Sequence, residues 1–182
     1  MKKMKTITIP TLETAVPESK VLFEQMIKHL GKVPNLYAVM GHSPIALKAF
    51  LDFESTLTKG VFNGKEREAI SLIVSEVNHC EYCLAAHSLV AAKHGFSNDE
   101  ILAIRKGEAS NPKLKAVISL AKSIASNKGK ADQHFLDEFF ESGYDEKALI
   151  ELISLISIRT FTNFVFANTK VAIDFPLAPA LS

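Results

Sequence analysis

Apolar residues recur at helical spacing along nearly the whole chain, and short polar breaks divide the pattern into segments. Pro17-Glu18-Ser19 opens the first run, which carries Val21, Leu22, Met26, Ile27 and Leu30 until Gly31 stops it. Val33-Pro34-Asn35-Leu36 reads as a turn into a short helix holding Tyr37, Val39 and Met40. Ser43 suits an N-cap and Pro44 a first helical position, so a third helix carries Leu47, Phe50, Leu51 and Leu57 to near Gly60. Asn63-Gly64 is a turn, and Lys65 to Val77 forms a strong helix with Ile70, Ile73, Val74 and Val77 on one side. Asn78 breaks it, and the next helix runs from about His79 to His94, with Gly95 as a natural C-cap.

The later half continues in the same way. Ser97-Asn98-Asp99-Glu100 caps a short helix through Ile101, Leu102 and Ile104. Asn111-Pro112 opens another with Leu114, Val117, Ile118, Leu120 and Ile124, and Asp132 to Phe140 is a further one. After Gly143 a helical segment spans Asp145 to Phe175, with a break expected around Thr160 to Asn163; Pro176 and Pro179 then end the ordered part. Ile7 and Ile9 alternate with Thr, but over too short a stretch for a credible strand. Ala69-Ile70-Ser71-Leu72-Ile73 faintly resembles Leu149-Ile150-Glu151-Leu152-Ile153, either as a repeat or as two unrelated apolar helices. The expected fold is all-α: one helical bundle domain over residues 1–182, with no linker or shift of composition to divide it.

Composition narrows the function. Hydrophobic residues make up 47% and charged residues 23% of the 182 positions, which are globular values. A net charge of +1, with Lys and Glu scattered, supplies no field for nucleic acid or an anionic membrane. The basic start Met1-Lys2-Lys3-Met4-Lys5 precedes an apolar stretch too short for a signal peptide. The greasiest runs are interrupted before the ~18 apolar residues of a membrane helix. The expectation is a soluble cytoplasmic protein that engages neither membrane nor nucleic acid.

The two cysteines, Cys80 and Cys83, form a C-x-x-C pair. A bridge closing so small a loop stabilises little, so the pair points to redox chemistry or metal binding and not to a scaffold. Positions i, i+3 and i+7 share a helix face, which puts Cys80, Cys83 and His87 on one side. With Asn78 at or near the N-cap, both sulfurs fall in the first turn, where unpaired N–H groups and the helix dipole favour a thiolate. His87 is positioned to take or hold a proton, and a carboxylate would orient it. Periodicity leaves Glu68 and Glu76 both open for that part. Zinc is the main rival, with His79 as a further ligand, but no second Cys/His pair exists to complete a structural site. His29, His42, His94 and His134 read as surface or capping residues, Glu76 and Glu81 as solvated charges, and Tyr82 as a packed aromatic. No G-x-G-x-x-G follows a strand, so no nucleotide, flavin or other cofactor is expected.

The stretch Glu68 to His87 resembles the core motif of the alkyl hydroperoxidase D family, within the carboxymuconolactone decarboxylase superfamily: a Glu twelve positions before the first cysteine, then C-x-x-C, then His four after the second cysteine. Val33-Pro34-Asn35-Leu36 and His42-Ser43-Pro44 resemble its peroxidase-related branch. The resemblance implies an all-helical fold and a homo-oligomer, trimeric or hexameric. It selects Glu68 over Glu76 and implies Cys83 as attacking thiolate, Cys80 as resolving thiol, and Glu68 with His87 as a proton relay. It implies a small hydroperoxide substrate and a lipoyl- or thioredoxin-type dithiol reductant, with a peroxiredoxin as a further partner. The well-known members carry His just before the second cysteine, where this chain has Tyr82. A redox adaptor serving a separate peroxidase and a decarboxylase-type enzyme are the alternative functions.

Overall fold

The computed structural model describes residues 7–181, so the basic start Met1–Lys5 lies outside the described residues. These form a single all-helical domain: α1 Pro17–Leu30, α2 Asn35–Met40, α3 Pro44–Leu57, α4 Gly64–Val77, α5 Glu81–Lys93, α6 Asn98–Lys106, α7 Pro112–Ser126, α8 Gln133–Glu141 and α9 Glu146–Thr169. Local chemistry sets most boundaries. The Ser43, Asn111 and Asp145 side chains accept the N–H of Ala46, Leu114 and Ala148 at their helix starts. Asn63 with Glu66, and Ser97 with Glu100, form full capping boxes. Gly31 ends α1 at φ 78°, a left-handed conformation that costs glycine nothing.

Helix α4 is the centre of the bundle. Every residue from Ala69 to Ser75 is buried, so it has no solvent face along that stretch, and it packs against α5, α6, α7 and α9. Its apolar residues join Phe62, Ile118, Leu120, Phe139 and Leu152 in the largest core cluster. A second cluster gathers Phe23, Met26, Leu47, Phe50 and Ile158 between α1, α3 and α9. A third brings Leu36, Val39, Phe166 and Val171 around Cys80, Tyr82 and Cys83. Each fully buried Phe, Leu or Ile stabilises the fold by about 1.5–3 kcal/mol through apolar area removed from water.

Three features of α9 differ from the sequence expectation. Helix α9 runs unbroken through Thr160 to Asn163 because its polar residues find partners there. Thr162 Oγ1 bonds back to the Arg159 carbonyl, and Asn163 reaches Asn78 and Ser75 on α4. The same helix, expected to be too interrupted, is long and apolar enough by length and composition to cross a membrane (mean hydropathy 1.5); here its inward face is core. It also ends at Thr169, six residues before Phe175, and the chain continues as a non-helical strap that stays anchored beyond Pro176, with Arg105 donating to the Pro179 carbonyl at 2.6 Å.

Candidate functional site

The site begins where α4 hands over to α5. Asn78 caps the end of α4, His79 adopts a left-handed φ of 52°, and the Cys80 N–H returns to the Ser75 carbonyl at 2.9 Å. With His79 N–H on the Glu76 carbonyl at 3.0 Å, this is a Schellman ending with histidine where glycine is usual. It reverses the chain at once, so that Cys80, and not Asn78 as expected, is the N-cap of α5. Its sulfur accepts the Cys83 N–H at 3.3 Å in the place of a capping hydroxyl. Cys83 follows in the first turn, at the positive end of the helix dipole. The two cysteines are joined as a disulfide with their Cα atoms 5.3 Å apart, and they are 1% and 3% exposed.

One turn further, His87 Nδ1 lies 2.8 Å from Glu68 Oε2 on α4. Both side chains are largely shielded, at 16% and 13% exposure. Burial by itself would raise the Glu68 carboxyl, but the charge and hydrogen bond of His87, helped by Arg159 and His94, hold it below the ordinary carboxylate value. The carboxylate left open by periodicity is thus Glu68. Glu76 lies in the last turn of α4 and, instead of being merely solvated, binds buried Arg105 at 2.7 Å. His79 is exposed on the junction and Glu81 is exposed on α5. Among the described residues, no three His, Cys, Asp or Glu side chains form a metal-ligating cluster.

A cavity of about 400 Å³ opens over this centre, with Cys83 and His87 in its wall; Cys80 lies outside that lining. Tyr37, Tyr82, Arg159 and Asp174 share the wall. Sequence reading did not place Tyr37, Arg159 or Asp174 at a site. Arg159 is 3% exposed, and its Nη2 is held by both carboxylate oxygens of Glu54 on α3. Burial lowers the Arg159 basicity and the Glu54 charge more than restores it. The Tyr37 phenol is pushed up to about 12, chiefly by burial. The one sequence signal for this layer was an arginine inside a long apolar helical run, where an ionisable group needs a partner or a purpose.

Tyr82, expected as a packed aromatic, packs edge-on to Phe175 and also hydrogen-bonds. Its hydroxyl accepts the Leu36 N–H at 3.1 Å and donates to Asp174 Oδ1 at 2.6 Å. Lys32 bonds the same carboxylate at 2.8 Å. The strap is thereby tied across the face of the cysteine pair, with Phe175 and Pro176 forming part of the cavity wall.

The Carboxymuconolactone decarboxylase family model matches residues 44–123, which contain Glu68, both cysteines and His87. The uncharacterized protein YdfG of Bacillus subtilis (strain 168) is 25% identical over 118 residues, spanning 63% of this chain and 80% of its own. Among solved structures, an alkylhydroperoxidase AhpD core, peroxidase-related protein of Ralstonia eutropha JMP134 superposes with a TM-score of 0.83 at 16% identity, covering 96% of this chain and 94% of its own. The debrominase Bmp8 in complex with 2,3,4-tribromopyrrole superposes at 0.78 with 24% identity, covering 95% and 94%. The family match thus spans the cysteine motif, and the helical architecture is that of the alkylhydroperoxidase AhpD core and debrominase structures.

Proposed function

We propose that the protein is a thiol-dependent peroxidase, or the closely related disulfide reductase, with Cys83 as the attacking sulfur. The observation that carries this reading is a cysteine pair at the start of α5 with Cys83 in the wall of a cavity that His87 also lines, His87 being hydrogen-bonded to Glu68 behind it. In the reduced protein, the α5 N-terminus stabilises a Cys83 thiolate. The thiolate attacks the terminal oxygen of a hydroperoxide, the O–O bond breaks, and Cys83 becomes a sulfenic acid. Protonated His87, held by Glu68, gives its proton to the departing alkoxide, which leaves as an alcohol. The Cys80 thiol then attacks the Cys83 sulfur; a disulfide forms and water leaves. A dithiol of the lipoyl or thioredoxin type exchanges with that disulfide and restores both thiols, becoming a disulfide itself; with a peroxiredoxin as partner, the restored thiols reduce the peroxiredoxin's disulfide in turn. In this reading the protein works in a reducing, cytoplasmic compartment.

A stopped-flow titration of the reduced protein with hydrogen peroxide and cumene hydroperoxide, with thiols counted before and after, tests it. The expected result is loss of two thiols per peroxide consumed. Cys83→Ser abolishes turnover, and Cys80→Ser accumulates a sulfenic acid that dimedone traps. Full turnover in both variants sinks the thiol mechanism. A disulfide that cycles cleanly with negligible turnover would point instead to the redox adaptor, and activity that survives alkylation of both cysteines to a decarboxylase-type enzyme.

The likeness to the debrominase Bmp8, and an apolar cavity of a size to take an aromatic ring, favour one second reading: thiol-driven removal of halide from an aromatic ring. There the ring carbon gains hydrogen, bromide leaves, and the two thiols supply both electrons as the disulfide closes. Release of one bromide from a brominated pyrrole per disulfide formed, without peroxide consumption, would select it.

A further inference from the structure

The Arg159 guanidinium is bound on one side only. Nη2 meets the Glu54 carboxylate, whereas Nε is buried and has no hydrogen-bond partner. A buried, unpaired donor on a cation costs free energy that a site without a ligand has no reason to carry. This donor belongs to a side chain in the wall of the cavity that holds Cys83 and His87. The carboxylates of the same region are already matched: Glu54 by Arg159, Glu68 by His87, and Asp174 by Lys32 and Tyr82. Among the described residues, Ser88 Oγ and Arg159 Nε are the buried side-chain polar atoms without a partner, and of these two residues only Arg159 lines the cavity. The rest of the wall is largely apolar, with Leu30, Leu36, Leu89, Val90 and Phe175, and the amines of Lys32 and Lys93 stand in the same lining. An apolar chamber with one buried cationic donor and basic residues in its wall suits a small amphiphilic acid.

We propose that Arg159 Nε anchors a carboxylate, so that the cavity takes a small acid with an apolar body. Charge assistance and the low dielectric of the chamber make a carboxylate a stronger partner for Nε than a neutral hydroxyl. The reacting end then lies toward Cys83. That the acid is a hydroperoxide rests on the thiol reading above; the anchoring itself does not.

The test uses the full-length protein in its disulfide form, labelled with 15N-arginine and titrated separately with octanoate and with 1-octanol. Octanoate is expected to shift the Arg159 Nε–H resonance saturably and to bind at least ten-fold more tightly than the alcohol. Arg159→Gln alone would strand Glu54, so the double variant Glu54→Gln/Arg159→Gln is used. It is expected to bring octanoate down to the affinity of 1-octanol while leaving 1-octanol binding unchanged. Equal affinities in the unaltered protein, an unmoved resonance, or a folded double variant that keeps its preference for octanoate would each overturn the proposal. Should the double variant not fold, the resonance and the affinity ratio of the unaltered protein decide alone. No turnover is measured, so this outcome is independent of the peroxide titration.

Discussion

Cys80 caps α5 with the same sulfur that bonds to Cys83. A serine there is itself a good cap, so Cys80→Ser leaves the start of α5 in place and isolates the chemistry of Cys83. Because the bridge closes so short a loop, reducing it is expected to cost at most about 2 kcal/mol, measured by urea denaturation with and without reductant. Glu68 carries a clearer pH signature. Its folded carboxyl sits below the ordinary value of 4.5, so its contribution to stability is present above that value and is lost as pH falls through the lowered folded one. Unfolding titrations from pH 7 to 3 should therefore show an acid limb that Glu68→Gln flattens. The same variant should lose roughly 1–3 kcal/mol at pH 7, since His87 loses a buried charged partner, and about 10²-fold in thiol turnover. An acid limb unchanged by the substitution would remove Glu68 from the relay. At this scale the C-x-x-C pair and its histidine were legible from spacing. The choice of Glu68 needed the family pattern, because two glutamates eight positions apart on one helix satisfy periodicity almost equally.

Helix boundaries were legible wherever capping chemistry is local: Ser43, Asn63, Ser97 and Asn111 each accept the backbone N–H that their position predicts. They were illegible where a distant partner decides. The polar stretch Thr160 to Asn163 suggested a break, but Asn163 meets Asn78 and Ser75 across the core and the helix continues. The strap after Thr169 was likewise invisible, because its anchors, Asp174 to Lys32 and Tyr82 and the Pro179 carbonyl to Arg105, have partners far away in sequence. Tyr82→Phe keeps the packing against Phe166 and Phe175 but removes both hydroxyl bonds. It is expected to cost about 1–2 kcal/mol and to speed amide exchange in residues 171–176, followed by mass spectrometry. Unaltered exchange there would mean that the strap is held by its apolar contacts alone.

Across the molecule, α4 is buried on all sides and α9 on one, while Ile150, Ile153, Phe161 and Phe164 leave an apolar stripe exposed along α9. Such a stripe is costly in water, and we propose it as the contact face of the homo-oligomer that the resemblance implies. Phe164→Glu is expected to shift the sedimentation of the protein toward monomer; a monomer before substitution would leave the stripe to another role. The amino-acid order by itself determined the helical class, nearly all helix starts and the placing of His87 one turn beyond the cysteine pair, because those depend on neighbours within one or two turns. Only the tertiary structure brought Glu68 within hydrogen-bond reach of His87, set Arg159 and Asp174 in the wall of the same cavity as Cys83, and made the C-terminal strap part of that wall. Those contacts join residues up to 142 positions apart, and no local period encodes which buried charges will share one low-dielectric space.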